Sequence, residues 1–139
     1  MGFITVSKFL LILIMPFVLF LLVLDFVGFD NSFYYQKFLE YNVGNISSLH
    51  REVINFISGN ANELPAEFNE REKQHLLDVR KITTISTTVL YILIFLFISL
   101  LIASILTLKV NNLMTNFIGK VLVFGGILTI ILAAILFFF

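Results

Sequence analysis

Asn69-Glu70-Arg71-Glu72-Lys73-Gln74-His75-Leu76-Leu77-Asp78-Val79-Arg80-Lys81-Ile82 is the most charged stretch of a mostly apolar chain, and it runs without a break into a long hydrophobic segment. Asn69 has the chemistry of a helix N-cap, with Glu72 placed to reach back as its capping-box partner. Glu70 and Glu72 fall in the first turn, where the helix dipole favours negative charge. Neither Gly nor Pro occurs from Glu70 to Leu108, so the spacing predicts one helix that leaves an aqueous loop and enters a bilayer. Arg71, His75 and Asp78 stand at i, i+4 and i+7 on one stripe, which Ile82 and Ser86 continue. An imidazole beside a carboxylate is thereby held one to two turns above the membrane surface, and any chemistry is expected there.

The 139 residues are 59% hydrophobic and 13% charged, with a mean hydropathy of +1.01. Such values exclude an ordinary soluble domain and indicate an integral membrane protein surrounded by lipid. The formal net charge is zero, whereas a nucleic-acid partner calls for a basic patch. The absence of cysteine removes disulfides, a thiolate zinc site and a cysteine nucleophile. There is no Trp among the aromatic residues, so Tyr34, Tyr35, Tyr41 and Tyr91 are left as interfacial anchors.

The pattern predicts an all-α, polytopic chain forming a single integral membrane domain over residues 1–139. Residues ~4–27 form a first span long enough for the ~30 Å hydrocarbon core. Pro16 near its middle predicts a kink rather than a break. The segment exceeds the length of a signal-peptide core and no small-x-small site follows Leu24, so it is expected to be retained. Residues ~28–81 form a polar loop that holds eight of the nine acidic residues. Asn31 or Ser32 is placed to cap a short helix over Phe33, Tyr34, Lys37, Phe38 and Tyr41, with Gly44 and Asn45 at its end. Ser47 or Ser48 starts a second, carrying Leu49, Val53, Phe56 and Ile57 on one face and ending at Gly59. Those apolar faces need cover, either from the membrane surface or from one another. Ala61 to Phe68, interrupted by Pro65, reads as a loop.

Residues ~82–108 and ~118–139 are the second and third spans, joined by a linker at ~109–117. Thr83, Thr84, Ser86, Thr87 and Thr88 make the start of the second span unusually hydroxylated. Bonding back to the i−4 carbonyls accounts for such a run; the sharper alternative is a polar groove beneath His75. Gly125-Gly126 in the third span predicts close helix packing. Lys and Arg are more numerous in the long loop, but its length weakens the positive-inside rule, so charge alone leaves orientation open. The chain ends on Leu136-Phe137-Phe138-Phe139, a bare apolar terminus expected of a fragment.

Two histidines are present. His50, beside Arg51, reads as a solvated surface residue. His75 has a carboxylate one turn away that can orient its ring and raise its basicity. A solvated interfacial helix of mixed charge would give the same pattern. No third ligand stands at zinc-like spacing, and no phosphate loop or nucleophile elbow occurs. Asn45-Ile46-Ser47 is a formal glycosylation sequon of a length that recurs by chance.

The string Phe68-Asn69-Glu70-Arg71-Glu72, then His75-Leu76 and Asp78-Val79-Arg80, resembles the signature of a family of small prokaryotic integral membrane proteins that includes the lipoprotein intramolecular transacylases (Lit). Tyr41-Asn42-Val43 and Val53-Ile54-Asn55-Phe56-Ile57-Ser58-Gly59 resemble the family's first external loop. The resemblance implies four membrane helices, with the N-terminus cytoplasmic and the loop at ~28–81 outside. It implies transfer of the sn-2 acyl chain of a diacylglyceryl-cysteine to that cysteine's α-amino group, with no cofactor and no metal. His75 would be the catalytic histidine, a general base for the attacking amine, with Asp78 and Arg71 orienting it or holding polar groups of the lipid. Membrane lipids and a lipoprotein N-terminus would be the partners. The family's second loop carries another histidine, in a Phe-His-x-x-Phe-Phe-like stretch before a fourth span, and neither occurs in this sequence. The alternative of a different class is a non-catalytic membrane module whose external loop binds a lipid or a partner.

Overall fold

A computed structural model describes residues 2–40, 47–64, 68–108 and 111–138. Among these there are five helices and no strand: α1 (Phe3–Gly28), α2 (Asn31–Glu40), α3 (Ser47–Ile57), α4 (Glu70–Leu108) and α5 (Asn111–Phe138). The chain is all-α, as the hydropathy pattern requires. Three helices are long and apolar enough to cross a membrane: Phe3–Gly28, Glu70–Leu108 and Leu113–Phe138. Most of their side chains face outward, and these are apolar, among them Phe9, Phe26, Phe95, Ile102 and Ile130. Such a surface is stable only against lipid tails.

Helix α1 runs through Pro16 without a break. Helix α4 has 39 residues, about 58 Å at 1.5 Å per residue and nearly twice the hydrocarbon thickness. Its first three turns therefore project beyond the apolar run that begins at Ile82. Helix α5 starts at Asn111, so most of the expected linker at 109–117 is helical. Hydropathy marks where a chain enters lipid, not where its backbone begins to coil.

Contacts divide the chain into two units, residues 1–22 with 90–139, and residues 23–89. In the first, Leu11, Phe117 and Val121 form a core on which Ile4, Ile12, Phe97, Leu100, Leu101, Leu108 and Ile118 pack. Beside it the buried Ser104 hydroxyl shares its proton between Ser7 Oγ at 2.9 Å and the Leu100 carbonyl at 2.7 Å. Ser7 in turn donates to the Ile4 carbonyl at 3.2 Å. Each hydroxyl thus has a partner where lipid could supply none.

The second unit holds the polar part of the chain. Helix α2 is capped by Asp30, whose Oδ1 accepts the Ser32 N–H at 2.8 Å; neither Asn31 nor Ser32 is its cap. Gly44 and Asn45, expected at its end, lie outside the described residues, as does Pro65. Helix α3 ends as expected at Gly59, which adopts φ 84°. The Asn60 N–H bonds to the Asn55 carbonyl at 2.8 Å and the Gly59 N–H to the Phe56 carbonyl at 3.1 Å. That is the Schellman pattern, in which a left-handed residue, here Gly59, follows the last turn.

Candidate functional site

The site is built from the projecting start of α4. Asn69 Oδ1 accepts the Glu72 N–H at 3.0 Å, and Glu72 Oε2 accepts the Asn69 N–H at 2.8 Å. Both halves of the capping box are therefore present, and two of the helix's orphan N–H groups are satisfied. Glu70 pairs with Lys73 at 3.0 Å, an exposed contact of small energetic weight. With the start fixed, the register of every following residue is fixed too.

Arg71 and His75 line one shallow depression of about 390 Å³ together with Phe68, Glu72 and Leu76. Asp78 stands on the same helical face but is not part of this lining. Among the described residues no hydrogen bond or ion pair joins Arg71, His75 and Asp78 to one another. All three side chains are exposed. The i, i+3 spacing leaves the Asp78 carboxylate within a rotamer change of the imidazole. The arrangement can take a proton at an accessible imidazole nitrogen while a guanidinium one turn away holds an anionic or carbonyl oxygen. Among the described residues no group of three His, Asp or Glu side chains able to hold an ion occurs.

Arg80 is a residue whose role the one-dimensional pattern did not indicate. Its Nη1 donates to the Ala61 carbonyl at 3.0 Å, and its guanidinium lies 4.8 Å from the centroid of the Phe56 ring. Phe56 is buried. One side chain thus docks the end of α3 and the following turn onto α4, by a hydrogen bond and a cation–π contact. Phe56, on the apolar face of α3, is covered in this way. Phe33, Tyr35 and Leu39 of α2 remain exposed.

His50 is not the solvated surface residue that its neighbour Arg51 suggested. Its ring centroid lies 4.5 Å from that of Tyr34, in the contact between α2 and α3. Burial holds its imidazole below the ordinary value of 6.5, because the charged form is poorly solvated there. The folded state then binds this proton less readily than the unfolded chain. Packing of α2 on α3 should have its full stability above pH 6.5 and lose it as pH falls through the lowered folded value. Hydrogen-exchange protection factors over residues 31–40 and 47–57 should drop on acidification, and His50→Phe should flatten that response. Equal pH dependence in the variant would assign the loss to other groups.

The hydroxyl run largely bonds back along its own helix. Thr84 donates to the Arg80 carbonyl at 2.9 Å and Thr88 to the Thr84 carbonyl at 2.8 Å. Thr87 differs: its hydroxyl lies 3.4 Å from Asp25 Oδ1, joining α4 to the end of α1. A second depression below the first is lined by Leu77, Arg80, Lys81, Thr84 and Ile85, so Thr84 is the one hydroxyl of the run that contributes to it.

Comparison with curated proteins and with solved structures gives no match. The profile of the family described as "Lipoprotein intramolecular transacylase Lit" matches residues 9–139. That span takes in α4 and α5 whole, the capped, histidine-bearing start of α4 included, and α1 from residue 9 onward. The chain belongs to the lipoprotein intramolecular transacylase (Lit) family.

Proposed function

We propose that this protein moves the sn-2 acyl chain of a lipoprotein's diacylglyceryl-cysteine onto the α-amino group of the same cysteine, with His75 as general base. The observation that carries this reading is the accessible imidazole beside Arg71, held above the apolar run of α4 in a family of this description. The cysteine nitrogen attacks the ester carbonyl and His75 accepts the proton that nitrogen loses. Collapse of the tetrahedral intermediate breaks the bond to the sn-2 oxygen, which takes the proton back from His75. An amide forms, an ester breaks and one proton moves from nitrogen to oxygen, so no cofactor is consumed. Arg71 holds the carbonyl oxygen as it gains negative charge, and Asp78 orients the imidazolium. The N-terminus lies in the cytoplasm and residues ~28–81 outside it, where a lipoprotein's amino terminus meets the membrane.

Substrate and product of this step are isomers, so intact mass does not distinguish them. The protein as its gene encodes it should be expressed in a host whose lipoproteins are diacylated and keep a free amine. Fragment ions should then show an acyl group on the cysteine nitrogen and a monoacyl glyceryl thioether, with loss of amine reactivity. Lipoproteins that retain the free amine throughout would leave the chain as a membrane module that binds lipid or a partner without turning it over.

A further inference from the structure

We infer that Arg80 and Lys81 form a binding site for the headgroup of an anionic phospholipid, separate from the depression at His75. The site is the second depression, about 370 Å³, between Leu77, Arg80, Lys81, Thr84 and Ile85. Two cations line it and no carboxylate does. Among the described residues neither Arg80 nor Lys81 forms an ion pair, although Asp78 lies one turn from Lys81. The charge is therefore left for a ligand.

Three features make this more than two cations reaching for water at a membrane border. Arg80 does not move freely: the Ala61 carbonyl and the Phe56 ring fix its guanidinium, so its remaining N–H donors are already ordered before a ligand arrives. The Thr84 hydroxyl proton is committed to the Arg80 carbonyl, which leaves the two cations as the donors of the groove. Leu77 and Ile85 are exposed on either side and continue into the apolar run that starts at Ile82. A ligand that fits has an anionic oxygen for the guanidinium and ammonium, and an apolar body that continues down the helix. At the level where α4 enters lipid, that ligand is a phospholipid with a negatively charged headgroup.

The proposal does not depend on acyl transfer and is tested without it. The purified protein, in detergent with equal amounts of phosphatidylglycerol and phosphatidylcholine, is examined by native mass spectrometry for retained lipid. Wild type should retain phosphatidylglycerol in preference. Lys81→Gln should weaken that preference roughly five-fold, the effect of one cation near an anionic surface. Lys81→Arg should keep it, and Lys73→Gln, on the first turns of the same helix, should leave it unchanged. Equal retention of the two lipids by wild type would overturn the proposal, as would an unaltered preference in Lys81→Gln. Displacement of the lipid by inorganic phosphate at the same concentration would also overturn it, since the groove would then be a site for free phosphate.

Discussion

Replacing His75 with Ala should reduce transacylation by about two to four orders of magnitude, the usual contribution of a positioned general base. The residue lies on the exposed face of α4 and makes no hydrogen bond among the described residues, so its loss should leave the fold intact. The capping box that sets the register of α4 lies a turn and a half earlier and does not involve it. Asp78→Asn should cost far less, since Asp78 does not touch the imidazole in the resting structure and can act only once the imidazolium forms. Arg71→Gln should fall between the two if its guanidinium meets the carbonyl oxygen. Amine reactivity of the lipoprotein, followed over time with each variant, gives these rates. Full activity in His75→Ala would remove this residue from the chemistry. Because the chain contains no cysteine, Gln74→Cys also reports the side of the membrane on which the site stands. An impermeant thiol reagent should label it in intact cells; labelling only after lysis would reverse the proposed orientation.

Whether a feature could be read in the sequence depended on the distance between its partners along the chain. The capping box needs two residues three positions apart, and Asn69 with Glu72 specifies it almost completely. The length of α4 follows from the absence of Gly and Pro, and the end of α3 from one glycine whose φ only glycine adopts freely. Arg80 is different. Its partner Ala61 is nineteen residues away and Phe56 is further still, so no local periodicity points from one to the other. The burial of His50 has the same origin, since the ring that covers it belongs to another helix. The pattern places the cap of α2 one or two residues late, at Asn31 or Ser32, because Asp30, Asn31 and Ser32 are all good caps. Only the backbone's entry angle decides among three such neighbours. At the candidate site the stripe of Arg71, His75 and Asp78 is legible in the helical spacing, but their mutual contacts are not. Exposed long side chains on one helix face have several rotamers of similar energy.

The adjacent pair Gly125 and Gly126 separates a packing requirement from mere composition. Both read as small residues for close helix approach, yet they meet different surroundings. A Cβ on Gly125 would collide with Met15 Sδ, and would come within 3.4 Å of Met15 Cβ and Cγ. A Cβ on Gly126 would meet nothing within 4 Å. Helices in lipid gain little from burying apolar surface, and their association rests on close contact of this kind. Gly125→Leu forces α1 away from α5 where Pro16, next to Met15, limits how the backbone can adjust, and should destabilise the protein by roughly 2–3 kcal/mol. Gly126→Leu faces open space and should cost under about 0.5 kcal/mol. Gly125→Ala should lie between them, because a thioether can swing aside from one methyl group. Unfolding in mixed detergent micelles measures each variant. Met15→Ala should recover part of the loss in Gly125→Leu, since the two residues share one contact and their effects should not add. Equal destabilisation by leucine at 125 and 126 would mean that helix propensity or lipid exposure, not the approach of Met15, governs this position.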